Sequence, residues 1–357
     1  YVNRDKLLSA LKKEGLSATL GKVAKDILYV FTANGHPFEP MRAYSAFQVL
    51  ALLKYNGDFS KAAESLPKPE KQVFESRFKM PESELEKILN GTRISINKPI
   101  EKPPTILSIM ETEATSIIHK RVFTLGNFSC IIGKAKSKKT FFLTLVTAAM
   151  LKESDYTDKF MGQLPNDKKT ILYFDTEQGE YDSYNTIKKI KSIAGSLNNF
   201  NAFNLRPFSP IERCQIIEYA FKIFGDKIVF CVIDGIADLA TGINDEDEAT
   251  RVATMLLRLT KIHHCHISTV IHQNKNDNYA TGHLGSSIMK KAEILISVTK
   301  SKSNQRFSEV SCDMSRGIDF SSFDFMINDE GLPEVIAEEK IINTKSFYDN
   351  EKEDMPF

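Results

Sequence analysis

Gly133, Lys139 and Thr140 stand at the first, seventh and eighth places of the spacing G-x-x-x-x-G-K-[ST]. An apolar run over 128–132 precedes them and a helix-like run over 141–151 follows. The pattern predicts a strand, a small-residue loop and a helix opening at Lys139. That arrangement suits phosphate. A Gly allows the tight turn, and consecutive N–H groups at the helix start face phosphate oxygens. The lysine reaches the β- and γ-phosphates, and the hydroxyl ligates Mg²⁺. Ser137 and Lys138 complete the loop, and Lys138 departs from the pattern, which has Gly at that place. A side chain then stands where backbone approaches the nucleotide. The plainer alternative is a basic surface turn between a strand and a helix.

Two further apolar runs end in acids. The run 228–233 leads to Asp234, which can meet the Mg²⁺ held by Thr140 or merely cap a turn. The run 171–174 leads to Asp175-Thr176-Glu177-Gln178. Glu177 has the reach to orient and deprotonate a water attacking a γ-phosphate, Asp175 competes for that role, and either can instead cap the next helix. The run ending at 271 closes with His272 and Gln273, either of which can touch a γ-phosphate. Beyond it, Lys275 and a polar, Gly-bearing loop over 276–285 with Tyr279 and His283 can follow a single strand by stacking and phosphate hydrogen bonds, or simply connect. His263-His264-Cys265-His266 invites a metal reading, but consecutive ligands point in different directions and no partner pair has zinc spacing. A helix end and strand start are expected there.

The elements that must carry these groups alternate. Strand-like runs at 128–132, 170–174, 228–233, 267–271 and 294–298 are separated by helical runs such as 184–194, 211–224 and 248–263. The class is therefore α/β, a mainly parallel central sheet with helices on both faces. An antiparallel pair, 307–312 and 323–327, is expected to follow, joined through Gly317. With 357 residues there is room for one large domain and a smaller one. A hydrophobic content of 42% is that of a globular chain with a core. A net charge of +1 excludes a global basic field, so any nucleic-acid binding comes from local patches. Five scattered cysteines without C-x-x-C fit buried thiols in a reducing cytosol. No apolar run approaches the roughly 18 residues of a membrane span and no signal peptide is visible, so a cytoplasmic protein away from membranes is expected.

Four divisions follow: a small, mostly helical N-terminal region over 1–68, a proline- and charge-rich linker over 69–104 with one short helix, an α/β domain over 105–335 that carries the phosphate-loop spacing, and an acidic flexible tail over 336–357. In the first, 27–31 reads as a strand, helical spacing runs from Arg42 to Tyr55, and a second helix starts near Lys61 after Gly57. Such a pair is either a packed helical hairpin or a helix-turn-helix reader of DNA.

Together, GKAKSKKT at 133–140, DTEQ at 175–178, VIDGIADL at 232–239, VIHQNK at 270–275 and GHLGSSIMKKAEILISV at 282–298 resemble the RecA-like P-loop ATPases, most closely the RepA-type hexameric replicative helicases. The resemblance covers about 105–330. It implies ATP and Mg²⁺ as ligands and an ATP-driven helicase or translocase on single-stranded DNA, assembled as a homo-hexamer. It makes Lys139 and Thr140 the phosphate and Mg²⁺ ligands, Glu177 the catalytic carboxylate, Asp234 the second metal-side acid and His272 or Gln273 the γ-phosphate sensor. Arg316 is the arginine finger acting on a neighbour's site, with Arg306 as runner-up; Met314 replaces a basic residue of the family pattern. A recombinase or loader forming filaments on DNA, and a nucleotide-gated scaffold without turnover, are the alternatives. The N-terminal piece resembles the stretch before the ATPase in primase-helicases of bacterial mobile elements and phages, which implies a primase-like or zinc-binding part upstream if Tyr1 is an internal start. The last residues, Asp354-Met355-Pro356-Phe357, resemble the acidic tip of single-stranded DNA-binding proteins and imply a replication partner with an apolar pocket and a basic rim. A solubilising tail is the other reading.

Overall fold

The structure, a computed structural model, describes residues 21–24, 27–30, 36–66, 80–97, 100–113, 116–153, 159–274, 280–301, 304 and 306–336. Lys275, Tyr279 and the Asp354–Phe357 tip lie outside them. The chain divides into two compact units, Tyr1–Pro99 and Ile100–Phe357.

The first unit carries a three-stranded antiparallel sheet, β1 (Gly21–Ala24), β2 (Ile27–Val30) and β3 (Arg42–Ser45), followed by α1 (Ala46–Tyr55) and α2 (Phe59–Ser65). The expected strand near 27–31 is β2, and β1 and β3 join it as strands the apolar spacing did not announce. Residues 42–45 alternate, with only Tyr44 turned inward, against Phe38 at 5.1 Å between ring centroids. The helix starts at Ala46 because Ser45 caps it. The Ser45 hydroxyl accepts from the Gln48 N–H, and the Gln48 side chain accepts from the Ser45 N–H. Phe47 and Phe59 meet edge to face across the turn, making α1 and α2 a packed hairpin. Helix α3 (Glu82–Thr92) follows, with no buried residue.

The second unit is mixed α/β, built on a nine-stranded, mostly parallel sheet. Its strands are β6 (Phe128–Gly133), β8 (Thr170–Asp175), β9 (Phe200–Asn204), β10 (Ile228–Asp234), β11 (His266–His272), β12 (Ile294–Lys300), β13 (Phe307–Ser315), β14 (Phe323–Ile327) and β15 (Pro333–Val335). The order is β15-β14-β13-β12-β6-β11-β10-β8-β9, parallel from β12 to β9 and antiparallel beyond. Both faces are covered, so the central strands read as continuous apolar runs. On β8, Leu172 and Phe174 face one core while Ile171 and Tyr173 face the other. Helices α6 (Pro210–Phe224), α7 (Glu246–His263) and α8 (Gly282–Lys291) cover the first face. Helices α4 (Lys139–Lys152) and α5 (Glu180–Ala194) cover the second, together with a small sheet of β5 (Ser116–Thr124), β4 (Thr105–Glu113) and β7 (Phe160–Gly162) that was not expected. No helix of the described residues is long and apolar enough to cross a membrane, and all five cysteines are free.

The stretch 263–266 spans a helix end and a strand start. His263 lies beside the Phe221 ring, His264 caps α7 in the left-handed region (φ 45°), and Cys265 is buried. His266 is fully buried and stacked on Phe123, and burial pushes its pKa down to about 3. Its Nδ1 lies 2.9 Å from the Thr124 carbonyl, which can only accept, so Nδ1 carries the proton. Among the described residues no group of three or more His, Cys, Asp or Glu is placed to hold a metal. Glu293 sits beside this histidine, buried, accepting from the Thr124 N–H and hydroxyl. Glu293→Ala would leave those donors buried and unpaired, and should cost about 1–3 kcal/mol in urea unfolding of the full chain. In the Thr124→Val background the added loss should be smaller.

Candidate active site

The sequence forces a tight passage from β6 into α4. Gly133 ends β6 with no room for a side chain: a Cβ there would stand 2.3 Å from the Val298 carbonyl and 2.5 Å from Ser137 Oγ. Lys138 then takes the left-handed conformation, φ 73° and ψ 31°, before α4 opens at Lys139. The departure from Gly is thus borne by backbone strain, about 1–2 kcal/mol for an L-residue. Ser137 is buried, and among the described residues its hydroxyl has no hydrogen-bond partner; the Lys138 Nζ is likewise enclosed and unpartnered among them. Burial, with Lys300 nearby, lowers the Lys138 pKa to about 8.

The Lys139 ammonium donates to the carbonyls of Gly133 (2.9 Å) and Lys134 (3.0 Å) and lies 3.1 Å from His272 Nδ1. An ammonium only donates, so Nδ1 accepts and the proton of a neutral His272 sits on Nε2, 3.3 Å from Glu177 Oε2. Lys139, His272 and Glu177 therefore form one polar chain across the ends of β6, β11 and β8. The His272 hydrogen bond chiefly holds the Glu177 carboxyl below its usual range, and burial chiefly lowers the Lys139 pKa. Glu177 stays ionised at neutral pH. Asp175 is differently spent. It accepts from the N–H groups of Glu177 and Gln178, from the Gln178 amide and from the Ser183 hydroxyl, closing the turn into α5.

At the end of β10, Asp234 Oδ2 accepts from Thr140 Oγ1 and Tyr173 OH, each at 2.9 Å. Burial, then the neighbouring Asp175, raises its pKa from an ordinary 3.8 to about 6. Gly235 follows at φ 108°, where a Cβ would strike Thr176 Oγ1.

These groups line one cavity of about 450 Å³. Lys138, Lys139, Thr140, Glu177, Asp234 and His272 meet there, and Ser137 borders it. Gln273 stands one residue past His272, its N–H on the Gly133 carbonyl and its backbone bridged to Ala280. His283 is exposed on the first turn of α8, so the polar loop expected to reach 285 ends before Gly282. Arg316 lies elsewhere. Its N–H is bonded to Glu293 and its guanidinium to the Lys291 carbonyl, at the edge of the sheet where β6 begins. That edge is about 17 Å along the strands from Gly133. Arg306 pairs with Asp329 at 2.8 Å. Sequence reading missed Tyr173 and the cavity-lining face of α5, Asp182, Asn185, Thr186 and Lys189. The polar spacing of three and four residues after Glu177 was the available signal.

Chemically, the loop offers an ammonium and helix-start N–H groups to an anion, and Thr140 with Asp234 offers two hard oxygens to a divalent cation.

No family model matches the chain, and no curated protein does. Among solved structures, the crystal structure of the RadB recombinase matches with 14% identity and a TM-score of 0.44, over 61% of this chain and 94% of that one.

Because Asp234 binds its proton more tightly in the folded chain than an exposed carboxyl does, the folded state holds more protons between about pH 4 and 6. Its contribution to stability therefore falls as pH rises through that window and is level above it, by about 3 kcal/mol at most. Asp234→Asn should match the native chain near pH 4 and exceed it at pH 7, in urea unfolding without added metal.

Proposed function

We propose that the chain is a RecA-like ATP hydrolase that moves along single-stranded DNA, of the RepA-type helicase kind. The observation that carries the hydrolase reading is the convergence of Lys139, Thr140, Glu177, Asp234 and His272 on one cavity at the carboxyl ends of four adjacent parallel strands. Open α/β sheets bind ligands at that edge. The orphaned hydroxyl of Ser137 and the ammonium of Lys139, held at the loop by the Gly133 and Lys134 carbonyls, fit a phosphate group.

In this reading Lys139 holds the β- and γ-phosphates, and Thr140 with Asp234 holds Mg²⁺. When bound, that ion neutralises phosphate charge. Glu177, kept ionised, takes the proton of the attacking water while His272 fixes its carboxylate and stands ready to meet the γ-phosphate. Arg316, too far along the sheet to reach its own loop, is the finger for a neighbour's site, which supports a ring, of six by family resemblance. The resemblance of the segments to the RepA-type helicases supports translocation on DNA. Lys275, Tyr279 and His283 are the proposed DNA contacts.

Steady-state ATP hydrolysis with and without single-stranded DNA tests this. Turnover should rise with DNA and vanish in Lys139→Ala. Glu177→Gln should still bind ATP while turnover falls about 100-fold or more. ATP binding without turnover in either condition would make the chain a nucleotide-gated scaffold instead.

A further inference from the structure

Lys138 combines two costs that the fold leaves uncompensated. A lysine is held at φ 73°, where Gly is the easy residue, and its Nζ is enclosed with no hydrogen-bond partner among the described residues. A second lysine is brought to the same place by strand register. Ser297 of β12 pairs with Ile132 of β6, β12 runs on to Lys300, Lys300 pairs with Ser308 of β13, and the Ser308 hydroxyl donates to the Ser137 carbonyl at 3.2 Å. Lys300 therefore stands beside the loop on the side away from Glu177, Asp234 and His272. Like charges are costly together unless an anion lies between them. The buried, unpartnered hydroxyl of Ser137 marks the same spot.

We propose that Lys138 is a direct phosphate ligand and that Lys300 reinforces it, so that the loop grips the polyphosphate from two sides: Lys139 from the sheet edge, Lys138 with Lys300 from β12 and β13. This rests on the nucleotide reading above and deepens it. The lysine at the sixth place is then a gain of a contact, with the strained backbone as its cost.

The test is calorimetric titration of the full chain with ATP and with inorganic tripolyphosphate, comparing native protein with Lys138→Gly, Lys138→Ala, Lys300→Ala and Lys139→Ala. Gly at φ 73° relieves strain, so Lys138→Gly should fold at least as well by urea unfolding. It should nonetheless bind both ligands about 10- to 100-fold more weakly, the loss of one charge-assisted contact. Lys300→Ala should weaken both by a smaller factor. ATP binding by Lys138→Gly equal to or tighter than native overturns this inference alone. So does a loss for ATP with none for tripolyphosphate, since the contact would not then be to phosphate. Absence of ATP binding by the native chain overturns the nucleotide reading, and this inference with it.

Discussion

The carboxylate of Asp234 is shut away from water at the end of β10 and accepts two hydroxyl protons, from Thr140 and Tyr173. A carboxylate in that position is tolerated only while its donors stay in place. Thr140 belongs to the first turn of α4 and Tyr173 to the neighbouring strand, so one acid ties the helix, the loop before it and two strands into a single geometry. Lys139 precedes Thr140 and is placed by the same tie. From there the polar chain runs through His272 to Glu177. The groups that could do chemistry are therefore positioned together rather than one by one.

That coupling is possible because the strands are parallel and adjacent. β6, β11, β10 and β8 are neighbours in the sheet, although in the chain they are separated by helices. Each ends on the same edge, and each contributes its last residue or the turn after it: Gly133, His272, Asp234 and Glu177. Apolar cores on both faces hold the strands, so the polar ends are carried by a rigid scaffold.

Much of this was written plainly in the residues. Apolar runs ending in Asp234 and in Asp175-Thr176-Glu177 can be read without coordinates, because a strand covered on both faces has no polar alternation to blur it. The choice between Asp175 and Glu177 could not be read, since it turns on which carboxylate closes the turn into α5, and only geometry shows Asp175 committed to Ser183 and Gln178. The start of α1 was legible and overlooked: Ser45 and Gln48 spell a capping box, while apolar spacing alone carried the helix back to Arg42. The hairpin of β4 and β5 was hard to see, because polar residues such as Ser108, Glu111 and Thr124 interrupt its apolar pattern, and Glu111 and Thr124 find their partners, Ser321 and Glu293, only in the folded chain. At Lys138 the sequence posed a question about nucleotide approach, and the structure answers it first through backbone conformation.

Arg316 and the loop at 133–140 lie at opposite ends of the same strands. In the proposed reading, where one surface supplies the arginine and a different surface receives it, the contact between copies is not its own mirror: it has a donor face and an acceptor face. Such head-to-tail contacts generate a closed circle when the rotation per subunit divides a full turn, and an open helix when it does not. A closed ring and an open filament can then be built on one local contact and differ only in pitch. A few degrees at that contact, rather than any change in the residues that handle phosphate, would decide which assembly a chain of this kind builds.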